Sequence, residues 1–122
     1  MSRSRQDLGR RGESLAADWL AALGYEIRAR NYRCRAGEID LVTRYAGRWV
    51  FVEVRTRRGG RFGTPEESLT ARKRQHMIAS AQHYLLEHGQ LEADWRIDAV
   101  AVVIAPDGQV ERLDVIENAV GL

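Results

Sequence analysis

Between Arg48 and Arg55 the side chains alternate without a break, a pattern that suits a half-buried strand. Val50, Val52 and Val54 make one face; Trp49, Phe51, Glu53 and Arg55 make the other. A face of three valines must be covered. Ala46-Gly47, just before the run, marks a two-residue turn, and Gly37 to Arg44 is the strand it folds back on. With Tyr45 opposite Arg48, Asp40 falls opposite Glu53 and Glu38 opposite Arg55. All four side chains then emerge on one face, because residues two apart in a strand share a face. Ile39, Leu41, Val50, Val52 and Val54 form the opposite, core-facing surface.

The flanking segments supply cover for this hairpin. Leu8, Gly12, Leu15, Ala16, Trp19, Leu20 and Leu23 recur at three- and four-residue steps, which predicts an amphipathic helix from Asp7 to Leu23 capped by Gly24. Tyr25 to Tyr32 is a less regular strand. Thr56 to Gly63, with three glycines and three arginines, reads as a loop. Thr64-Pro65-Glu66-Glu67 has the form of a capping box, and Thr70 offers a second helix start. The helix runs on to His88 before Gly89, with Met77, Ala81, Tyr84 and Leu85 facing the core. His76 and His83 read as half-buried. Trp95 to Ile104 and Gln109 to Ile116 are strands joined by Ala105-Pro106-Asp107-Gly108, and Arg96 and Asp98 share a face as an ion pair. Helix, three strands, helix, two strands: the order predicts one α/β domain over residues 1–122 with a mixed sheet.

The chain is 44% hydrophobic, too apolar for disorder, and has no apolar run long enough to span a bilayer. Its net charge of +2 hides an uneven division. Residues 1–61 carry 14 basic and 7 acidic side chains, residues 62–122 carry 5 and 10. Of the 19 basic residues only Lys73 is lysine; the rest are arginine, the better bidentate phosphate ligand. A single cysteine, Cys34, excludes a disulfide framework and a multi-cysteine zinc site. With no signal-peptide pattern at Met1, the expectation is a cytoplasmic protein.

Two carboxylates facing each other across a hairpin repel, and a hard divalent cation gives a reason to put them there. Mg²⁺ is held by one or two carboxylates together with water and substrate phosphate. Arg55 would then reach the phosphate or the attacking water, an arrangement suited to phosphodiester hydrolysis. The plainer alternative is a pair of surface carboxylates bound to nearby arginines. Glu13 flanks the buried stripe of the first helix and can point toward the sheet edge, or be solvated. Arg57, Arg58 and Arg61 sit where a basic loop could track a phosphate backbone, and Arg72, Lys73 and Arg74 open the second helix, against the preference for acids there, as candidate phosphate and substrate contacts.

Gly12-Glu13, Asn31-Tyr32-Arg33, Gly37-Glu38-Ile39-Asp40-Leu41, Phe51-Val52-Glu53-Val54-Arg55-Thr56-Arg57, Phe62-Gly63, Lys73 and Arg96-Ile97-Asp98 together resemble the successive motifs of the YraN-type bacterial proteins. The likeness covers nearly the whole chain. That family is similar in turn to archaeal Holliday-junction resolvases and to the PD-(D/E)xK restriction-endonuclease-like superfamily. The resemblance implies a restriction-endonuclease-like α/β fold, a central mixed five-stranded sheet flanked by helices, with a Mg²⁺ or Mn²⁺ site on the hairpin. It makes Asp40 the motif aspartate, Glu53 the second metal ligand and Glu13 the acidic residue offered by the first helix; Glu38 is a further ligand candidate. Ile39 stands where the superfamily has proline, and Arg55 where it has lysine. Arginine stays protonated, so it can orient water or stabilise a phosphate but cannot act as a general base.

The expected function is therefore metal-dependent hydrolysis of DNA, with branched or single-stranded substrates in view. The alternative is a nucleic-acid-binding module of the same fold with weak or absent catalysis. A protein–protein adaptor using the acidic second half is a third reading. Resolvase-like relatives often work as dimers, which adds a homodimer to the expectations.

Overall fold

A computed structural model describes residues 2–59 and 70–119, with the side chains of 2–5 left aside. The hairpin turn is left-handed at both central residues, Ala46 at φ 51° and Gly47 at φ 80°. That matches the twist of the strands it joins. β2 (Gly37–Tyr45) and β3 (Arg48–Arg58) pair antiparallel from Tyr45↔Arg48 to Leu41↔Val52, in the expected register. β1 (Glu26–Cys34) pairs antiparallel with β2 on its other side. β3 runs parallel to β4 (Trp95–Ile104), and β5 (Val110–Ile116) returns antiparallel to it. The sheet is mixed, five strands in the order β1-β2-β3-β4-β5. A parallel neighbour needs a crossover, and α2 (Ala71–Glu87) provides it between β3 and β4.

The two helices cover opposite faces of the sheet. α1 (Ser2–Ala22) buries Ala16, Ala17 and Leu20 against Leu41, Val50, Val52, Val54, Val100 and Val102. It ends in a Schellman cap: Tyr25 N–H donates to Leu20 O at 3.0 Å around Gly24 at φ 100°, and Tyr25 packs in the same cluster as Leu20. α2 buries Met77, Ala81, Tyr84 and Leu85 against Val42, Trp49, Phe51, Ile97 and Ala99. Its N-cap is Thr70, whose Oγ1 accepts from Lys73 N–H at 3.1 Å. The alternation of β3 is thus used as expected, valines toward α1 and aromatics toward α2. Arg96 and Asp98 form the expected ion pair, at 3.0 Å.

Several expectations are corrected. α1 begins at Ser2, not Asp7, because its polar first turns form helix without an apolar stripe to mark them. Leu23 belongs to that stripe in sequence yet is 49% exposed, lying beyond the last helical residue. β3 continues through Arg58, so Arg57 and Arg58 are strand residues rather than loop residues; parallel pairing of Thr56, Arg57 and Arg58 with Val102, Val103 and Ile104 sustains the strand. Ile39 packs with Val42, Phe51 and Met77 on the α2 side, not with Leu41. The β1–β2 ladder skips Asn31 and Asp40, Asn31 is left-handed at φ 52°, and the alternation of β2 changes sides there. His83 is half-buried beside Tyr32, 2.7 Å from its hydroxyl, but His76 is exposed. Arg61 and the Thr64–Glu67 cap lie outside the described residues.

Candidate functional site

The change of side at Asp40 builds the site. β2 and β3 stop pairing after Leu41↔Val52, β2 continuing along β1 and β3 along β4. In the resulting fork the Val54 N–H, which a regular ladder would give to a β2 carbonyl, donates instead to Asp40 Oδ2 at 2.8 Å. This bond pins the carboxylate inside the split, 8% exposed. Glu53 is 6% exposed beside it. Burial drives the Asp40 carboxyl up to about 8, with the charges of Glu53 and then Glu13 pushing the same way against the Val54 N–H. The fold holds this pair together against its own repulsion.

Two cations answer Glu53 but not Asp40. Arg55 Nη1 lies 3.3 Å from Glu53 Oε1, and Lys73 Nζ lies 2.9 Å from the same oxygen. Lys73 belongs to the first turn of α2, which carries no acidic residue, so the positive helix end is opposed by Arg72, Lys73 and Arg74. The Glu53 carboxylate offsets that unfavourable placement at Lys73. Sequence reasoning had placed Lys73 among the substrate contacts and missed that it reaches the carboxylate pair. The available signal was that the one lysine among 19 basic residues lies one turn into a helix packed over the hairpin.

Glu13 approaches from α1 because Gly12, beside it, lets the helix nearly touch β3: a Cβ on Gly12 would lie 1.9 Å from Thr56 Oγ1. The Glu13 carboxyl is raised, first by burial and then by Glu38 and Glu53, while a hydrogen bond from the Asn31 side chain and the charge of Arg10 act to lower it. Glu38 does not face Arg55, as the extrapolated register requires. It pairs across β1 with Arg33, at 3.2 Å, because β2 has left β3 by that point. Two clefts flank Glu13. One, of about 320 Å³, lies toward β3 and includes Arg55 and Arg57; the other, of about 590 Å³, lies toward β1 and includes Arg10, Asn31, Arg33 and Glu38. Arg58, Arg72 and Arg74 are exposed.

Among the described residues no three His, Cys, Asp or Glu side chains converge as a metal-binding group. Asp40, Glu53, Glu13 and Glu38 therefore do not form a single four-carboxylate cage. The donor set that fits a hard divalent cation is narrower: the buried Asp40–Glu53 pair of hard oxygens, leaving other positions to water and phosphate. Glu13 is near enough for its charge to be felt at Asp40.

A forked, mixed five-stranded sheet between two helices makes this an α/β protein whose architecture is consistent with a restriction-endonuclease-like fold. Residues 12–102 match the model of the uncharacterised protein family UPF0102. A UPF0102 protein of Symbiobacterium thermophilum is 47% identical over 112 residues, covering 92% of this chain and 94% of its own length. One from Roseiflexus castenholzii is 46% identical over 121 residues, 98% of each chain, and one from Anaeromyxobacter dehalogenans is 50% identical over 105 residues, 86% of this chain and 78% of that one. The chain belongs to the UPF0102 family, the YraN-type proteins. No helix among the described residues is long and apolar enough to cross a membrane.

Proposed function

We propose that this protein is a metal-dependent phosphodiester hydrolase acting on DNA, with Asp40 and Glu53 holding Mg²⁺ or Mn²⁺. The observation that carries the reading is the buried carboxylate pair at the β2–β3 fork, with Asp40 raised to about 8. A pair built only for stability would be better replaced by apolar side chains, since buried like charges cost more than they return. Perturbed carboxyls of this kind gather at functional sites. When bound, a divalent cation neutralises charge on a phosphate and makes water a better nucleophile.

The chain's own residues have distinct tasks. Asp40 is held by the Val54 N–H, so its second oxygen is left for the cation. Arg55 and Lys73 are both held at Glu53 Oε1, and from there either can donate to a phosphate oxygen. Lys73 supplies the ammonium that Arg55, standing in the motif lysine's place, does not. This favours hydrolysis over a binding module with a disabled site. Glu13 sets the field at Asp40 from across the cleft. Arg57 and Arg58, further along β3, and Arg72 and Arg74, beside Lys73 on α2, are groups suited to a phosphate backbone.

The test is incubation of the purified protein with single-stranded, flap, junction and linear duplex DNA in Mg²⁺ or Mn²⁺. Cleavage abolished by Asp40→Ala and by Glu53→Ala is expected. DNA binding without cleavage of any substrate would leave the binding-module reading in its place.

A further inference from the structure

We propose that the two clefts flanking Glu13 are one continuous track for a single nucleic-acid strand, which crosses α1 at Gly9 on its way past the Asp40–Glu53 pair. The inference rests on the hydrolase reading and specifies its substrate. Gly9 and Glu13 line both clefts, one turn apart on the same face of α1. Asp40 and Glu53 line neither cleft but adjoin residues that do. Val54, whose N–H binds Asp40, lines the smaller cleft, and Asn31 and Glu38, on either side of the Asp40 bend, line the larger.

Among the described residues nothing requires Gly9 to be glycine. It lies inside α1 and not at its end, it is not in the left-handed region, and a Cβ there would meet none of them within 4 Å. A glycine in a helix interior costs about 1 kcal/mol relative to alanine. Gly12, three residues on, is explained by its contact with Thr56; Gly9 is explained only by the space it leaves open. That space joins the clefts, and removing a side chain there lets a ligand approach the helix backbone.

The lining is suited to a phosphodiester backbone. Arg10 and Arg33 stand at the β1 end, and Arg55 and Arg57 at the β3 end. Four arginines face Glu13 and Glu38, and the Arg33–Glu38 ion pair is on exposed side chains that can exchange partners. Clefts of about 320 and 590 Å³ have room for a few nucleotides of one strand. A single strand binds such a groove by charge along its backbone and by stacking of bases on arginine planes.

The experiment is fluorescence anisotropy of a labelled oligothymidylate and of a duplex of equal length, in Ca²⁺ and low salt, with wild type, Gly9→Ala and Gly9→Trp. Thermal unfolding checks that each variant is folded, and calorimetric titration with Mn²⁺ reports on the carboxylates separately. The track predicts that wild type prefers the single strand and that Gly9→Trp weakens its binding tenfold or more. Arg10→Glu and Arg57→Glu, at opposite ends, should each weaken it too. Equal binding of the duplex, or full-strength single-strand binding by folded Gly9→Trp, overturns the track even when Mn²⁺ binds. Absence of Mn²⁺ binding by wild type instead defeats the hydrolase reading and takes the track with it.

Discussion

Two glycines one turn apart in α1 should respond oppositely to the same substitution. A Cβ at Gly12 would sit 1.9 Å from Thr56 Oγ1, 2.7 Å from its Cγ2 and 2.8 Å from its Cβ. Rotating Thr56 about χ1 moves the first two atoms but leaves its Cβ in place. To restore ordinary contact, α1 must therefore retreat from β3 locally by about 1 Å. Overpacking of this kind costs roughly 1–3 kcal/mol, against which alanine returns about 1 kcal/mol of helix propensity. Gly12→Ala should thus be neutral to destabilising by about 2 kcal/mol, while Gly9→Ala, with open space at its Cβ, should stabilise by up to about 1 kcal/mol. The assay is urea unfolding of both variants and of each combined with Thr56→Ala. Thr56→Ala removes the two closest contacts, so it should recover on the order of 1 kcal/mol in the Gly12→Ala background and nothing in the Gly9→Ala background. Because Glu13 rides on the displaced turn, Gly12→Ala should also lower DNA cleavage by about 10²-fold, the scale of a misplacement near 1 Å. Gly12→Ala that stabilises as much as Gly9→Ala would refute the close-approach account.

The Asp40 carboxyl is raised from 3.8 to about 8, so the folded state holds a proton that the unfolded chain releases. Stability relative to an uncharged variant is accordingly lost as pH rises through that window: Asp40→Asn should melt higher than wild type at pH 9, the gap closing by pH 4, and Mn²⁺ should raise the melting temperature of wild type alone. Lys73→Met should change stability by less than about 1 kcal/mol, since the lysine side chain is 39% exposed, yet reduce cleavage by about 10²-fold or more, with Lys73→Arg restoring it only partly. Ala46, left-handed at φ 51° in the hairpin turn, should be improved by Ala46→Asn, which stabilises by about 0.5–1 kcal/mol in thermal or urea unfolding.

What could be read in the sequence depended on whether the determinant was local. The valine alternation of β3 and the Ala46-Gly47 turn are local, and they set the hairpin register from Tyr45↔Arg48 to Leu41↔Val52 correctly. The fork is not local. It arises where the Asp40 side chain takes the Val54 N–H from the ladder and where Asn31, on another strand, turns left-handed. Extrapolating the register past that point put Glu38 opposite Arg55 and Ile39 with Leu41, and both were displaced. The extension of β3 through Arg58 is likewise decided by its parallel neighbour β4, which lies more than thirty residues away in sequence. Asp40, Glu53, Arg55 and Glu13 were legible as a group through the resemblance of their motifs. The reach of Lys73 from α2 to Glu53 required knowing how the helix lies on the sheet.

The central claim is that Asp40 and Glu53 hold a divalent cation, and an anomalous difference map from crystals grown with Mn²⁺ tests it most directly. The account predicts a peak at the β2–β3 fork, about 2.0–2.3 Å from one oxygen of each carboxylate, with Asp40 Oδ2 still accepting from the Val54 N–H. A fork without density at millimolar Mn²⁺, or Mn²⁺ bound elsewhere with Lys73 Nζ still seated on Glu53, would contradict it.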